Sequence, residues 1–361
     1  MSTIKVLHVI ARVNVGGTAR YVGDLVKYLP NNLLATGHVQ GQEIEDAVVA
    51  QNIHFRIPHL GRRISPLNDL RAYFELKDIV RTLEPEIVHT HTFKAGLIGR
   101  MIPGNHKRIH TYHGHLFEDQ SFPWFQKKLI KLVEKCLARR SDILVSVGIR
   151  VGHELQLLSI GKHNKWVSIP PGIAPLPIIE KAKSRELLGL PSNDTLVGWM
   201  ARVTTVKNPN LLVEVANALP HVQFVMAGGG DLLNSIIRIA PRNLKVLGWT
   251  ESYLFWSAVD ISLSTSDNEG MPIALIEAQM AGIPVIATDV GSSSEVIQHK
   301  VTGLVVKKEL SAIVDAVLCL TGDLDLLDHM AEAAISQSQE KFNLDKFLSL
   351  HQALQDSIAN Q

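Results

Sequence analysis

The sequence predicts an α/β protein made of two doubly wound parallel sheets. Three observations carry this. Short apolar runs alternate with helical patterns from one end of the chain to the other. Leu, Val, Ile and Ala dominate while aromatics are only 6%, a mix that suits buried parallel strands. Midway, a proline-rich segment stops the alternation, after which it starts again. At 361 residues the chain has room for two domains of ordinary size, and 46% apolar residues can supply both cores.

In the first half, strands are expected over residues 4–10, 33–39, 87–89, 108–112 and 143–147, with helices over 19–29, 67–83, 95–102 and 125–139. The segment Ile169-Pro170-Pro171-Gly172-Ile173-Ala174-Pro175-Leu176-Pro177 holds four prolines and a glycine, which forbid continued regular structure. It marks the boundary between a domain over 1–170 and one over 171–340. Strands then follow over 195–200, 223–227, 244–247, 261–264 and 284–287. A terminal element over 341–361 shows helical spacing through Phe347, Leu348, His351, Leu354 and Ile358. In open α/β sheets ligands bind beyond the carboxyl ends of the strands, so two such halves facing one another would form a cleft.

Composition narrows the function. A net charge of +1 gives no global attraction to nucleic acid. Cys136 and Cys319 lie far apart with no metal-ligand spacing, which fits reduced thiols in a cytoplasmic protein. The apolar start, Ile4 to Ile10, is interrupted by Lys5 and His8 and reads as a first buried strand rather than a signal peptide. No apolar run approaches the roughly 18 residues of a spanning helix.

The strongest local signal runs from Ser266 through Glu269-Gly270-Met271-Pro272 to Glu277. A strand end, a polar loop and a proline suited to a first helical turn occur in succession. Backbone N–H groups at such a helix start can bind anions or sugar hydroxyls, and the two carboxylates could touch one extended ligand at different points. The plain alternative is a solvated loop glutamate and a surface helix glutamate. Arg202 directly follows a strand and Lys207 closes the loop before the next helix. Two cations there suit a diphosphate, although structural cations in such loops are common. Gly16-Gly17 follows the first strand and permits a tight turn, and Gly228-Gly229-Gly230 does the same in the second half. Neither is a Gly-x-Gly-x-x-Gly fingerprint.

His89, His91, His110, His113 and His115 crowd the later strand ends of the first half. With no carboxylate or cysteine to complete a set, they read as polar lining of a sugar site rather than as metal ligands. Residues 124–140 form an amphipathic helix: Lys127, Lys128, Lys131, Lys135 and Arg139 share an arc of about 120°, with Leu129, Leu132, Val133, Cys136 and Leu137 opposite. The apolar side is expected to pack inward, leaving a cationic face that can rest on anionic lipid.

Taken in order, these segments resemble the family 4 glycosyltransferases over nearly the whole chain, particularly bacterial capsular and surface-polysaccharide members. The markers are Gly16-Gly17, His89-Thr90-His91, Thr111-Tyr112-His113-Gly114-His115, Pro170-Pro171-Gly172-Ile173, Arg202 with Lys207, and Glu269 and Glu277 with seven residues between them. The resemblance implies the GT-B fold, with acceptor recognition in the first domain, nucleotide-sugar binding in the second, and a terminal helix returning to the first. It implies transfer, with retention of anomeric configuration and no metal or other cofactor, of a hexose or N-acetylhexosamine from a nucleotide-diphosphate sugar to a glycan or lipid-linked acceptor.

On that resemblance His113, Arg202, Lys207 and Glu269 are catalytic. Gly16, Gly17, Arg202, Lys207, Gly270, Met271, Pro272 and Glu277 hold the donor, and His89, His91 and His115 face the acceptor. Ala201 and Ser292 stand where family members often carry glycine, without removing a charged role. Two readings compete: a nucleotide-sugar epimerase of the same two-domain plan, for which no separate acidic set is found, and a non-catalytic nucleotide-sugar binder, against which all four charged residues are present.

Overall fold

The computed structural model describes residues 4–41, 43–61, 64–114, 117 and 123–360. The chain divides into two compact units, Met1–Gly172 with Leu344–Gln361, and Ile173–Asn343.

The first unit alternates β1 (Val6–Ile10), α1 (Gly17–Tyr28), β2 (Asn32–Thr36), α2 (Ala47–Ala50), β3 (Phe55–Arg56), α3 (Pro66–Leu83), β4 (Ile87–His91), α4 (Thr92–Gly99), β5 (Lys107–Tyr112), α5 (Trp124–Arg140), β6 (Ile143–Ser146), α6 (Ile149–Leu157) and β7 (Trp166–Ser168). Among the described residues its sheet has seven parallel strands in the order β3-β2-β1-β4-β5-β6-β7. β1 lies in the middle, paired with β2 and β4 and buried along its whole length. That double burial explains its nearly continuous apolar run. The one polar residue in it, His8, sits beside His89 in the register.

The second unit contains α7 (Lys181–Leu188), β8 (Leu196–Met200), α8 (Pro209–Ala218), β9 (Gln223–Ala227), α9 (Leu233–Ile239), β10 (Leu244–Gly248), α10 (Ser252–Ala258), β11 (Ile261–Ser264), α11 (Ile273–Met280), β12 (Val285–Thr288), α12 (Ser293–Val296), β13 (Gly303–Val306), α13 (Leu310–Gly322) and α14 (Leu324–Lys341). Its sheet, six described strands, runs β10-β9-β8-β11-β12-β13. The last helix, α15 (Leu344–Ala359), belongs to the first unit, where Phe347 and His351 pack edge-on against Tyr21 of α1. Three edge strands, β3, β7 and β13, were not expected. Each is two to four residues long, too short for a periodic signal to stand out.

The orientation of α5 departs from expectation. Its buried residues are Ile130, Glu134, Leu137 and Ala138, whereas Leu129 and Leu132 are about as exposed as Phe125, at 61%, 60% and 56%. A buried ion pair turns the helix. Both carboxylate oxygens of Glu134 lie 2.9 Å from Nη2 of the fully buried Arg100, and the Tyr112 hydroxyl donates to Glu134 at 2.6 Å. Stranding Arg100 would cost about 3–5 kcal/mol. Exchanging the inward face for the leucine face would regain roughly 1.5–3 kcal/mol per additional leucine buried, and Ile130 and Leu137 already supply much of that. The ion pair therefore sets the rotation.

Replacing Glu134 by Ala is expected to destabilise the first unit by about 3–5 kcal/mol. Denaturant unfolding followed by circular dichroism checks this, and a loss below about 1 kcal/mol would remove the ion pair as the orienting interaction.

Candidate functional site

In the second unit, β9 and β12 lie outward of β8 and β11, so the sheet's winding reverses between β8 and β11. In open parallel sheets ligands bind beyond the carboxyl ends of the strands at such a reversal, which directs attention to the loops leaving these two strands. The loop after β8 carries Arg202 and Lys207; the loop after β11 carries Glu269. Hydrogen bonds stitch the two loops together. Thr265 Oγ1 donates to the Asn208 carbonyl at 2.9 Å and Trp199 Nε1 donates to Thr265 Oγ1 at 3.0 Å. The Asp267 amide donates to the Val206 carbonyl at 2.9 Å, and Asn208 Nδ2 donates to Asp267 at 3.1 Å.

This frame brings Lys207 Nζ to 2.5 Å from Glu269 Oε1, which also accepts from Ser266 Oγ at 2.7 Å. Both groups are largely buried. The cation and carboxylate, 62 residues apart in the chain and in separate motifs, are thus direct partners. The backbone around Glu269 is tightly packed: a Cβ on Gly291 would lie 1.7 Å from the Glu269 carbonyl, and Ser292 N donates to the Gly270 carbonyl at 3.1 Å. Gly291 has φ +49°, so glycine is required there twice over.

Pro272 is the residue just before α11 rather than its first helical residue. Met271 packs at the margin of the apolar core. Glu277 lies in the second turn of α11 and is buried, only 5% exposed, within reach of Trp256 Nε1 at 3.4 Å. The plain alternative of a surface glutamate is therefore corrected, because a carboxylate is not buried without polar company.

The Gly228–Gly230 loop has a packing role the sequence left open. A Cβ on Gly228 or Gly230 would strike the carbonyls of Ala201 or Val203 at 1.9 and 2.4 Å, so this loop braces the segment bearing Arg202. A Cβ on Gly229 would meet Trp249 Nε1 at 2.0 Å. Trp249, 49% exposed just past β10, offers a flat aromatic face beside that loop and was not singled out from sequence. The signal for it is a large apolar residue following a strand-end glycine.

In the first unit the winding reverses between β1 and β4. Gly16, with φ +151°, caps α1 after β1, and Gly17 opens that helix. Thr92, after β4, holds φ +67°, an outlier for a β-branched residue that costs about 1–3 kcal/mol. His91 ends β4, and here the expected acceptor contact needs correction. His89 and His91 are fully buried and cannot reach a bound acceptor; they stack on each other with centroids 4.3 Å apart. His115 lies outside the described residues.

The rings belong to a larger cluster of buried His8, His89, His91, His110, His351 and Tyr21 with the half-buried His113 at its margin. Nitrogens of His8, His89 and His91 lie within 4.8 Å of one another, the one such grouping among the described residues. All four ring nitrogens of His8 and His91 are already engaged, on Asn32, each other and His113. That leaves none of theirs for a shared metal ion. Burial lowers these groups below the ordinary histidine range, to about 4 for His8 and about 3 for His113 and His351. For His89 and His91, burial first and neighbouring rings second act in the same direction.

Comparison with known proteins gives consistent results. Residues 15–175 match Glycosyltransferase Family 4 and residues 180–337 match Glycosyl transferases group 1. The chain is 26% identical, over 96% of its length and 95% of the relative's, to the UDP-Gal:alpha-D-GlcNAc-diphosphoundecaprenol alpha-1,3-galactosyltransferase of Escherichia coli. It is 23% identical, over 96% of its length and 97% of the relative's, to the O-antigen biosynthesis glycosyltransferase WbnH of the same species. Among solved structures, a sucrose-phosphate synthase from Thermosynechococcus elongatus shares the fold with a TM-score of 0.85 at 18% identity, covering 99% of this chain and 100% of that one. HepE from Anabaena in complex with UDP does so at 0.81 and 18%, covering 98% and 100%.

The buried histidines predict acid lability. Their folded values lie below the unfolded value of about 6.5, so their contribution is complete above that pH and is lost as pH falls towards 4. Each group whose proton is bound only on unfolding contributes a slope of up to about 1.4 kcal/mol per pH unit. Asp24, which burial pushes up to about 6, opposes this by one proton. Thermal unfolding between pH 7.5 and 4.5 should show a steep fall in Tm, and His351→Gln should flatten it; parallel slopes would contradict the assignment.

Proposed function

Because this chain belongs to glycosyltransferase family 4, we propose that it is a retaining, metal-independent transferase moving a hexose or N-acetylhexosamine from a nucleoside-diphosphate sugar to a lipid-linked glycan in surface-polysaccharide synthesis. The observation that carries the donor site is the Lys207–Glu269 pair at the reversal point of the second sheet. The galactosyltransferase relative is named for a UDP-sugar donor and a diphosphoundecaprenol-linked acceptor, and HepE was solved with UDP.

In this reading Arg202 and Lys207 neutralise the charge that grows on the diphosphate as the glycosidic bond breaks. Fixed cations in a partly buried site do so without reorganising. Arg202 suits two oxygens through its fork, Lys207 one as a point charge. Glu269 keeps Lys207 in place and uses its remaining acceptor capacity on sugar hydroxyls, with the Gly270–Pro272 backbone beside it. Glu277 accepts from the ribose hydroxyls, and Trp249 gives the base a surface for stacking. Family resemblance assigns phosphate contact to Gly16 and Gly17 and sugar contact to His113. Retention and metal independence rest on family membership, with Arg202 and Lys207 supplying the positive charge.

The acceptor's lipid anchor makes a bilayer surface the natural workplace, at the cytoplasmic side. No helix among the described residues is long and apolar enough to cross a membrane. The outward side of α5 suits peripheral contact better than its expected arrangement did. Trp124, Phe125, Leu129 and Leu132 are exposed next to a stripe of Lys128, Lys131, Lys135 and Arg139, and Lys128 Nζ sits 4.7 Å from the Trp124 ring centroid. Apolar side chains beside lysines are the composition of an interfacial helix.

A panel of nucleotide sugars scored by thermal shift should single out the donor, since a ligand at 100 times its Kd stabilises by about 2.7 kcal/mol. Lys207→Ala and Glu277→Ala should each weaken its binding by about tenfold or more, the scale of one lost charge-assisted hydrogen bond. Unchanged affinity in a titration would reject this site. The anomeric configuration of the product, read by NMR, tests retention.

Vesicle flotation tests the membrane proposal. The protein should float with vesicles rich in anionic lipid and stay behind with zwitterionic ones, and Leu129→Glu with Leu132→Glu should abolish flotation while leaving donor binding intact. Equal flotation of the variant would exclude α5 as the contact.

A further inference from the structure

The first unit contains a continuous row of hydrogen bonds from an amide to the proposed reaction centre. Asn32 Nδ2 donates to the Pro30 carbonyl at 3.0 Å, which fixes the amide's orientation and leaves Oδ1 as the acceptor. Oδ1 receives Gln355 Nε2 of α15 at 2.9 Å and faces His8 Nε2 at 2.7 Å. His8 Nδ1 then lies 3.0 Å from His91 Nε2, and His91 Nδ1 lies 3.1 Å from His113 Nε2. His113 Nδ1 has no hydrogen-bond partner among the described residues.

A neutral imidazole carries one N–H, and two lone pairs cannot face each other at 2.7 Å. His8 must therefore carry its proton on Nε2, directed at Asn32. Its Nδ1 is then an acceptor, which requires the proton of His91 on Nε2. His91 Nδ1 is an acceptor in turn, which requires the proton of His113 on Nε2. The last free nitrogen, His113 Nδ1, is left with a lone pair.

We propose that Asn32, His8 and His91 are positioning residues that set the tautomer of His113, so that its Nδ1 accepts a hydrogen bond from a sugar hydroxyl and cannot donate one. This rests on the reading that His113 contacts the sugar. Burial supports the neutral forms, holding His8 near 4 and His113 near 3, with His89, His110 and His351 packed around them as further neutral rings. A ligand needing a donor at that point would be rejected, because it would leave a buried polar group unpaired. Selection of the tautomer is thus made at Asn32, four residues in series from the ligand.

The test is long-range proton–nitrogen NMR on the full-length chain labelled with 15N-histidine, assigned with His8→Gln and His113→Gln. At pH 7 the signals of His8, His91 and His113 should each report a neutral ring protonated on Nε2. A proton on Nδ1 of any of the three, or a doubly protonated ring at pH 6, would overturn the proposal.

Asn32→Asp supplies the functional arm. A carboxylate there draws one proton from solvent onto His8, whose Nδ1–H then donates to His91 Nε2. His91 donates from Nδ1 to His113 Nε2, and the proton of His113 moves to Nδ1. The variant should show that shift with kcat lowered by roughly tenfold or more and donor KM changed far less. A shifted tautomer with unchanged kcat would also overturn the positioning role. If the variant does not fold, the wild-type spectra still decide. Those spectra need no substrate, so their outcome is independent of whether the transferase reading holds.

Discussion

A parallel sheet connected by crossover helices sends every strand-to-helix loop to the same edge, and only where the winding reverses do neighbouring loops part. Both sheets here have one such point, between β1 and β4 and between β8 and β11. Lys207 and Glu269 come from the two strands flanking the second, and Gly16, His91 and Thr92 from those flanking the first. The constraint is topological, and the side chains exploit it.

At the second reversal point the chain invests hydrogen bonds and glycines rather than apolar area. Thr265, Asp267 and Asn208 tie the two loops together, while Gly228, Gly230 and Gly291 let backbones touch where any Cβ would collide. The result is a buried cation and carboxylate held at 2.5 Å. Such a pair adds little net stability, because desolvation offsets much of its attraction. Its retention makes sense as preorganisation for an anionic ligand. The first reversal point is built differently, from neutral imidazoles stacked in the core, whose nitrogens pair with one another and with Asn32, Thr90, Thr111 and Tyr21.

The alternation of strands and helices was legible because buried parallel strands must be apolar and their helices amphipathic, and the central elements match the expected ones within a few residues. Short edge strands were not, since two to four residues carry no period. Glu269, Glu277, Arg202 and Lys207 could be named because glycines, a proline and strand ends surround them. Their partnerships could not. His8 stood out only as a break in an apolar strand and Asn32, at a strand start, not at all, with nothing local to mark their pairing.

The sequence by itself determined the class of fold, the family and the identity of the charged residues, since these depend on local pattern and on motifs in order. Tertiary structure alone decided which residues meet. Glu134 turns α5 so that Leu129 and Leu132 face outward, although helical periodicity argued the reverse, because the partner that orients it is 34 residues away in Arg100. The proton on His113 follows from Asn32 through two intervening rings. Contacts between residues distant in the chain leave no periodic trace in the sequence; they become visible only when the sheet sets the strands side by side.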